Sequence, residues 1–120
     1  MKILITGVAG FIGFSLANRL LKSRNNQVCG IDSIDNYYSP RMKKTRLKIL
    51  KKQKNFSFNY LDISKKNHVK NFFKKKTFDI IFHFAAQAGV RYSVVNPKKY
   101  IKVNRKGFRN ILESLRDKKF

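Results

Sequence analysis

The stretch ITGVAGFIGFSLANRLL, residues 5–21, decides how the chain is read. Its glycines fit two segments with opposite fates. Residues 1–17 carry the marks of a secretory leader: Lys2 at a basic start, an apolar middle, and Ser15-Leu16-Ala17 as a small-residue cleavage site. The same residues fit a phosphate-binding loop, with Gly7, Gly10 and Gly13 spaced G-x-x-G-x-x-G. What flanks the glycines separates the two.

Upstream, KILIT (2–6) is a short β-branched run ending at Gly7, the pattern of a buried strand. Downstream the period changes. Ile12, Leu16 and Leu20, with Ala17 and Leu21 beside them, predict a helix that Arg24-Asn25-Asn26 brings to an end. QVCGID then reads as a second strand finishing at Asp32. Residues 41–54 predict a lysine-rich helix whose apolar side is Met42, Leu47, Ile49 and Leu50. NFSFNYLDI alternates Phe56, Phe58 and Tyr60 as a third strand. Ser64 then caps a helix bearing Val69, Phe72 and Phe73. FDIIFHFAA is a fourth strand, apolar enough to be covered on both faces. A last helix over 98–117 carries Phe108, Ile111, Leu112 and Leu115.

Strands alternating with helices imply right-handed βαβ crossovers and a parallel sheet. The expected class is α/β: the N-terminal part of a Rossmann-type doubly wound sheet, four strands in the order 3-2-1-4 with flanking helices. A secretory leader needs neither a strand before its glycines nor a second strand after the helix. That reading fails.

Bulk composition agrees. The 120 residues, 42% hydrophobic, suffice for one domain with a real core. No apolar run is long enough to span a bilayer, so no membrane partner is expected. The lone cysteine, Cys29, excludes an intrachain disulfide framework and fits a reducing cytoplasm. The charge stands apart, with 28 Lys+Arg against 6 Asp+Glu and a formal net +22. Lys43-Lys44, Lys51-Lys52, Lys65-Lys66, Lys74-Lys75-Lys76 and Lys98-Lys99 are scattered along the chain. A dedicated nucleic-acid face concentrates arginine forks and exposed aromatics instead. The expectation is a solvated cationic surface with no specific nucleic-acid partner.

At the glycines, Gly7 supplies a turn that a Cβ disfavours, Gly10 lets main chain approach a pyrophosphate, and Gly13 lets the helix pack on the sheet. The helix N-terminus adds unpaired N–H groups and the positive end of its dipole. Asp32 ends the second strand about 20 residues later, where a carboxylate grips the adenosine ribose. Such a group accepts from both ribose hydroxyls and repels a 2′-phosphate, which favours NAD over NADP. Asp62 is a candidate adenine contact with Ile63 beside the ring, and equally an ordinary turn or cap residue.

Several segments together resemble a known family: TGVAGFIG, GIDSIDNYYSP, LDIS, HFAAQAGVRYSVVNP and NRKGFRNILE. They look like the N-terminal half of extended short-chain dehydrogenases/reductases, the NAD-dependent epimerase/dehydratase family, and most like UDP-glucuronate 4-epimerases, including the bacterial capsule-sugar type. The likeness runs over essentially the whole chain. It implies that Gly7, Gly10, Phe11, Ile12 and Gly13 form the pyrophosphate loop, Asp32 the ribose acid, and Asp62 and Ile63 the adenine contact. It sets Ala85, Ala86 and Gln87 along the cofactor, Asn104 in support of the active-site geometry, and Arg91 in the loop facing a UDP-sugar. Arg91 reads equally as one more surface cation. His83 reads as structural, with no metal site or triad around it.

The family chemistry is hydride transfer from C4 of the sugar to NAD, rotation of the 4-keto intermediate, and return of the hydride to the other face. A tyrosine with a lysine four residues later moves the proton. Residues four positions after Tyr37, Tyr38, Tyr60, Tyr92 and Tyr100 are Arg41, Met42, Ser64, Asn96 and Asn104, so no Y-x-x-x-K occurs. The expectation is residues 1–120 as a single NAD-binding domain truncated before that segment: no catalytic tyrosine, no second domain, and no turnover alone. A missing C-terminal half or a second copy is the expected protein partner. The alternatives are a nucleotide-sugar 4,6-dehydratase or other epimerase fragment, and, in another class, an inactive remnant or a basic nucleotide- or nucleic-acid-binding module. If the charge is only solvated surface, DNA or RNA binding will be weak, sequence-independent and lost steeply with added salt. Sequence-selective retention at physiological salt, in a filter or mobility assay, would contradict it.

Overall fold

The computed structural model describes residues 1–118. Each expected strand forms, and all four are parallel. They are β1 (Lys2–Thr6), β2 (Gln27–Asp32), β3 (Phe56–Tyr60) and β4 (Ile80–His83), in the order β3-β2-β1-β4. Ile3 stands in register with Val28 on one side and Ile80 on the other, and Val28 with Phe56. The central strand β1 is buried on both faces: Ile3, Leu4 and Ile5 are all essentially inaccessible. Successive side chains leave a strand on opposite faces, so a β-branched run with no polar alternation is what such a position requires.

The chain forms two compact units. The first comprises Met1–Tyr60 and Phe78–Phe84; the second comprises Leu61–Thr77 and the described residues from Ala85 onward. The first holds the sheet with helices α1 (Phe11–Leu20) and α2 (Pro40–Leu50). Ile3, Ile5, Val8, Ala17, Leu21, Val28, Leu47 and Leu50 form its core. Two assignments of helix faces change. The buried edge of α1 is Gly13, Ala17 and Leu21, whereas Ile12 is 61% exposed. The face turned inward carries the small residues that allow close approach, and Ile12 lies about 100° around the helix from it. Helix α2 begins at Pro40, with Ser39 Oγ accepting the Met42 N–H at 3.4 Å, and ends at Leu50 rather than 54. Leu47 and Leu50 are buried; Met42 and Ile49 are exposed.

The outer strands are less covered than their composition suggests. Tyr60, at the end of edge strand β3, is 70% exposed. Strand β4 is four residues long, pairs with β1 alone, and leaves Ile80 exposed and Ile81 to His83 half-buried. The expectation of cover on both faces does not hold for it, and among the described residues no strand lies on its other edge.

The second unit contains α3 (Lys66–Lys74), two short helices α4 (Val90–Val95) and α5 (Pro97–Tyr100), a π-helical segment Ile101–Gly107, and α6 (Phe108–Leu115). The single helix expected over 98–117 is therefore three successive segments. Val69 and Phe73 of α3 and Ile111 of α6 are buried, and Asn110 Nδ2 donates to the Ile63 carbonyl at 2.9 Å. Phe108 and Leu112 remain substantially exposed. Ser64 does not cap α3. The cap position is Lys65, because Asp62 Oδ1 draws both the Ser64 amide (2.9 Å) and its hydroxyl (2.7 Å) backward into an Asx turn.

His83 is structural, as expected. Thr6 Oγ1 lies 2.7 Å from its Nδ1 and accepts the Phe84 N–H at 3.0 Å. Burial lowers the His83 pKa below its ordinary 6.5. As the pH falls, the unfolded chain takes up this proton first. The contribution is therefore complete above the ordinary value and is lost as the pH drops through the folded one. In His83→Asn, a side-chain amide, able to donate or accept, takes the place of Nδ1 beside Thr6 Oγ1 without titrating. Melts between about pH 7.5 and 5.5 should show the unmodified protein losing more stability than the variant. Equal losses would contradict the assignment.

Candidate functional site: a phosphate-binding turn

Strand β1 ends in a turn whose main-chain donors can be followed one at a time. Gly7 N–H donates to the Ile31 carbonyl at 2.9 Å and Val8 N–H to the same oxygen at 3.3 Å. Ala9 N–H goes to Asp32 Oδ2 at 3.0 Å, and Gly10 N–H to the Gly7 carbonyl at 3.0 Å. The first bond of α1 is Phe14 N–H to the Gly10 carbonyl at 2.9 Å. The amides of Phe11, Ile12 and Gly13 are the first-turn donors a helix cannot satisfy itself. No side chain caps this end and no acid occupies its first turn. The Phe11 and Ile12 side chains are exposed, so these two residues offer backbone to an anion.

Two glycines are required by geometry. Gly7 has φ 69°, in the left-handed region. A Cβ on Gly13 would lie 2.2 Å from the Gly7 carbonyl oxygen, which is main chain and cannot swing aside. The helix therefore rests directly on the turn.

Asp32 is tied into the same structure. Its Oδ2 holds Ala9, and its Oδ1 accepts the Ile34 N–H at 2.8 Å. Ile34 has φ 51°, a conformation that costs a β-branched residue about 1–3 kcal/mol. Each carboxylate oxygen keeps acceptor capacity beyond these bonds. Sequence reasoning missed Arg46 of α2, whose Nη1 donates to the Ala9 carbonyl at 3.0 Å. Nothing in a lysine-rich helix distinguishes that one cation beforehand. The first unit thus brings together Gly7, Gly10, Phe11, Ile12, Gly13 and Asp32.

The second unit carries the other residues singled out. Asp62 serves the Asx turn already described, and Ile63 is buried with its side chain against Gly107. Gln87 is buried and linked twice to Asn104: its N–H donates to Asn104 Oδ1 at 2.7 Å, and Asn104 Nδ2 donates to its carbonyl at 3.1 Å. Asn104 sits in the π-helical segment, a geometry that recurs at functional sites. Ala85 is half-buried and Ala86 exposed. Arg91 is exposed on α4, downstream of Gly89, whose carbonyl accepts the Tyr100 hydroxyl.

The family model for GDP-mannose 4,6-dehydratase matches residues 4–120. The chain belongs to that family. Among its relatives, protein CapI of Staphylococcus aureus is 47% identical over 116 residues, covering 97% of this chain and 34% of CapI. A UDP-glucuronate 4-epimerase of Thermodesulfobacterium geofontis is 40% identical over 114 residues, covering 95% of this chain and 35% of the enzyme. The crystal structure of UDP-glucuronic acid 4-epimerase from Bacillus cereus, in complex with UDP-glucuronic acid and NAD, superposes with TM-score 0.89 at 32% identity. That match covers 99% of this chain and 37% of the other. The chain spans about a third of the length of these relatives. The resemblance read from its motifs and the doubly wound sheet both hold.

In this member of the dehydratase family, Gly13→Ala should reverse the usual sign of a helical glycine replacement. Alanine gains about 1 kcal/mol of helix propensity, but the contact with the Gly7 oxygen forces the helix off the turn. A thermal melt lowered by several degrees is expected, with the exposed same-helix control Asn18→Ala unchanged or slightly raised by its own gain in helix propensity. A melt raised by Gly13→Ala would refute the contact.

Proposed function

We propose that residues 1–120 form the NAD-binding domain of a nucleotide-sugar 4-epimerase acting on a UDP-sugar of the glucuronate type. One observation carries the reading: the turn engages its own amides from Gly7 to Gly10 and leaves those of Phe11, Ile12 and Gly13 at a helix N-terminus. Three donors on a side-chain-free approach fit a pyrophosphate. The NAD named in the Bacillus cereus structure supports the same ligand.

In this reading, Gly7, Gly10, Phe11, Ile12 and Gly13 hold the pyrophosphate, and Asp32 accepts from the adenosine ribose with the lone pairs left over from Ala9 and Ile34. The family resemblance is what assigns Asp62 and Ile63 to the adenine, and Ala85, Ala86 and Gln87 to the cofactor. Asn104 holds both the N–H and the carbonyl of Gln87, and so the two peptide groups that flank this residue. Arg91 offers a guanidinium to a carboxylate or diphosphate of the sugar nucleotide. The bound nicotinamide would take a hydride from the sugar and return it. The description of the family model keeps a 4,6-dehydratase as the second reading.

Calorimetry should find NAD bound more tightly than NADP, because the Asp32 carboxylate repels a 2′-phosphate. Asp32→Ala should narrow that gap. It should also weaken NAD itself, since the variant releases the Ala9 and Ile34 amides. Equal affinity of the unmodified protein for the two dinucleotides would remove the ribose assignment.

A further inference from the structure

The turn that offers its amides to an anion is gripped by side chains on both sides of one residue. Asp32 takes the Ala9 N–H, and Arg46, reaching from the middle of α2, takes the Ala9 carbonyl. The Ala9–Gly10 peptide is then fixed at both ends, because its N–H belongs to Gly10 and donates to the Gly7 carbonyl. A trans peptide is planar, so two such bonds set its orientation, and with it the direction in which α1 begins. Arg46 is itself held: it is half-buried, and its Nη2 lies 3.2 Å from Met42 Sδ, one helical turn back. The guanidinium donates from a rigid planar fork, which suits it to a fixed span better than a lysine would.

We propose that Arg46 is a positioning residue of the phosphate-binding turn: its hydrogen bond to the Ala9 carbonyl presets the amides of Phe11, Ile12 and Gly13 toward the ligand. The proposal rests on the dinucleotide reading for its ligand, while the brace is a property of the free protein. It assigns α2 a role beyond packing and gives one cation of a lysine-rich helix a specific duty. Lys44, exposed on the same helix, has no such duty.

The test compares unmodified protein, Arg46→Met, Arg46→Lys and the control Lys44→Met in two arms. In the first, amide hydrogen exchange is measured without ligand. Arg46→Met should speed exchange at Ala9 and Gly10 about tenfold or more, with Ile3 to Ile5 unchanged and Lys44→Met without effect. In the second, calorimetry compares NAD with adenosine, which lacks phosphate. Arg46→Met should weaken NAD about tenfold and adenosine less than twofold, with partial recovery in Arg46→Lys. Unchanged exchange at Ala9 and Gly10 overturns the brace even if NAD weakens, because it would indicate direct contact with phosphate. Faster exchange throughout the sheet also overturns it, because it would indicate general loosening. Equal weakening of NAD and adenosine overturns the link to the phosphate amides. Failure of the unmodified protein to bind NAD rejects the dinucleotide reading, and the exchange arm still decides the brace.

Discussion

Helix α1 stands so close to the turn after β1 that a single methyl group at Gly13 would overlap the Gly7 carbonyl. The rest of the turn depends on this approach. It requires small residues along the inward edge of the helix, which is why Gly13 and Ala17 are buried there while Ile12 and Phe11 project into solvent. It also places the helix dipole and the open first-turn amides against the end of the central strand. Those partial charges act at short range on an anion that reaches them, and no side chain caps this end of the helix.

A turn held only by its own backbone would not keep such a geometry. Three of its amides point inward, to the Ile31 and Gly7 carbonyls, and one is fixed by the Asp32 carboxylate. That carboxylate joins the turn to the loop after β2, where it holds Ile34 in a conformation isoleucine rarely adopts. The strain is local and is borne by the packing of Ile34 against the core of the first unit. Asp32 thus acts as a bracket between two loops before it acts on any ligand.

The sheet was legible because its signals are periodic and redundant. KILIT and QVCGID have the β-branched, apolar character that a buried parallel strand needs, and the glycine spacing at residues 7, 10 and 13 fixed the crossover between them. Errors arose where a side chain had two partners of similar appeal. Ser64 has the chemistry of a helix cap, yet Asp62 two residues earlier offers an acceptor that wins both its amide and its hydroxyl. The apolar residues that gave residues 98–117 their helical periodicity, Phe108, Ile111, Leu112 and Leu115, all lie in α6, so they say nothing about the π-helical segment that precedes it. Arg46 was invisible for another reason. One of 28 basic residues is distinguished only by what its guanidinium reaches, and that is set by the tertiary path of α2.

The charge sharpens the meaning of the carboxylates. Four acidic side chains serve main-chain amides: Asp32 those of Ala9 and Ile34, Asp35 that of Tyr37, Asp62 that of Ser64, and Asp79 that of Lys2. Glu113 pairs with Arg109 and Lys66, and Asp117 with Arg116. Most cations therefore have no carboxylate to neutralise them, and the net +22 acts as a field that draws in any anion. Such a field raises encounter rates for dinucleotides and sugar nucleotides alike, with or without a 2′-phosphate. It cannot choose among them. Discrimination needs a group of the opposite sign, and under the proposed function the carboxylate at the end of β2, Asp32, is the candidate. A net charge of this size favours the extra phosphate of NADP at every approach, whereas a carboxylate built into the turn opposes it locally, so the proposed preference for NAD is a contest between a short-range charge and a long-range field.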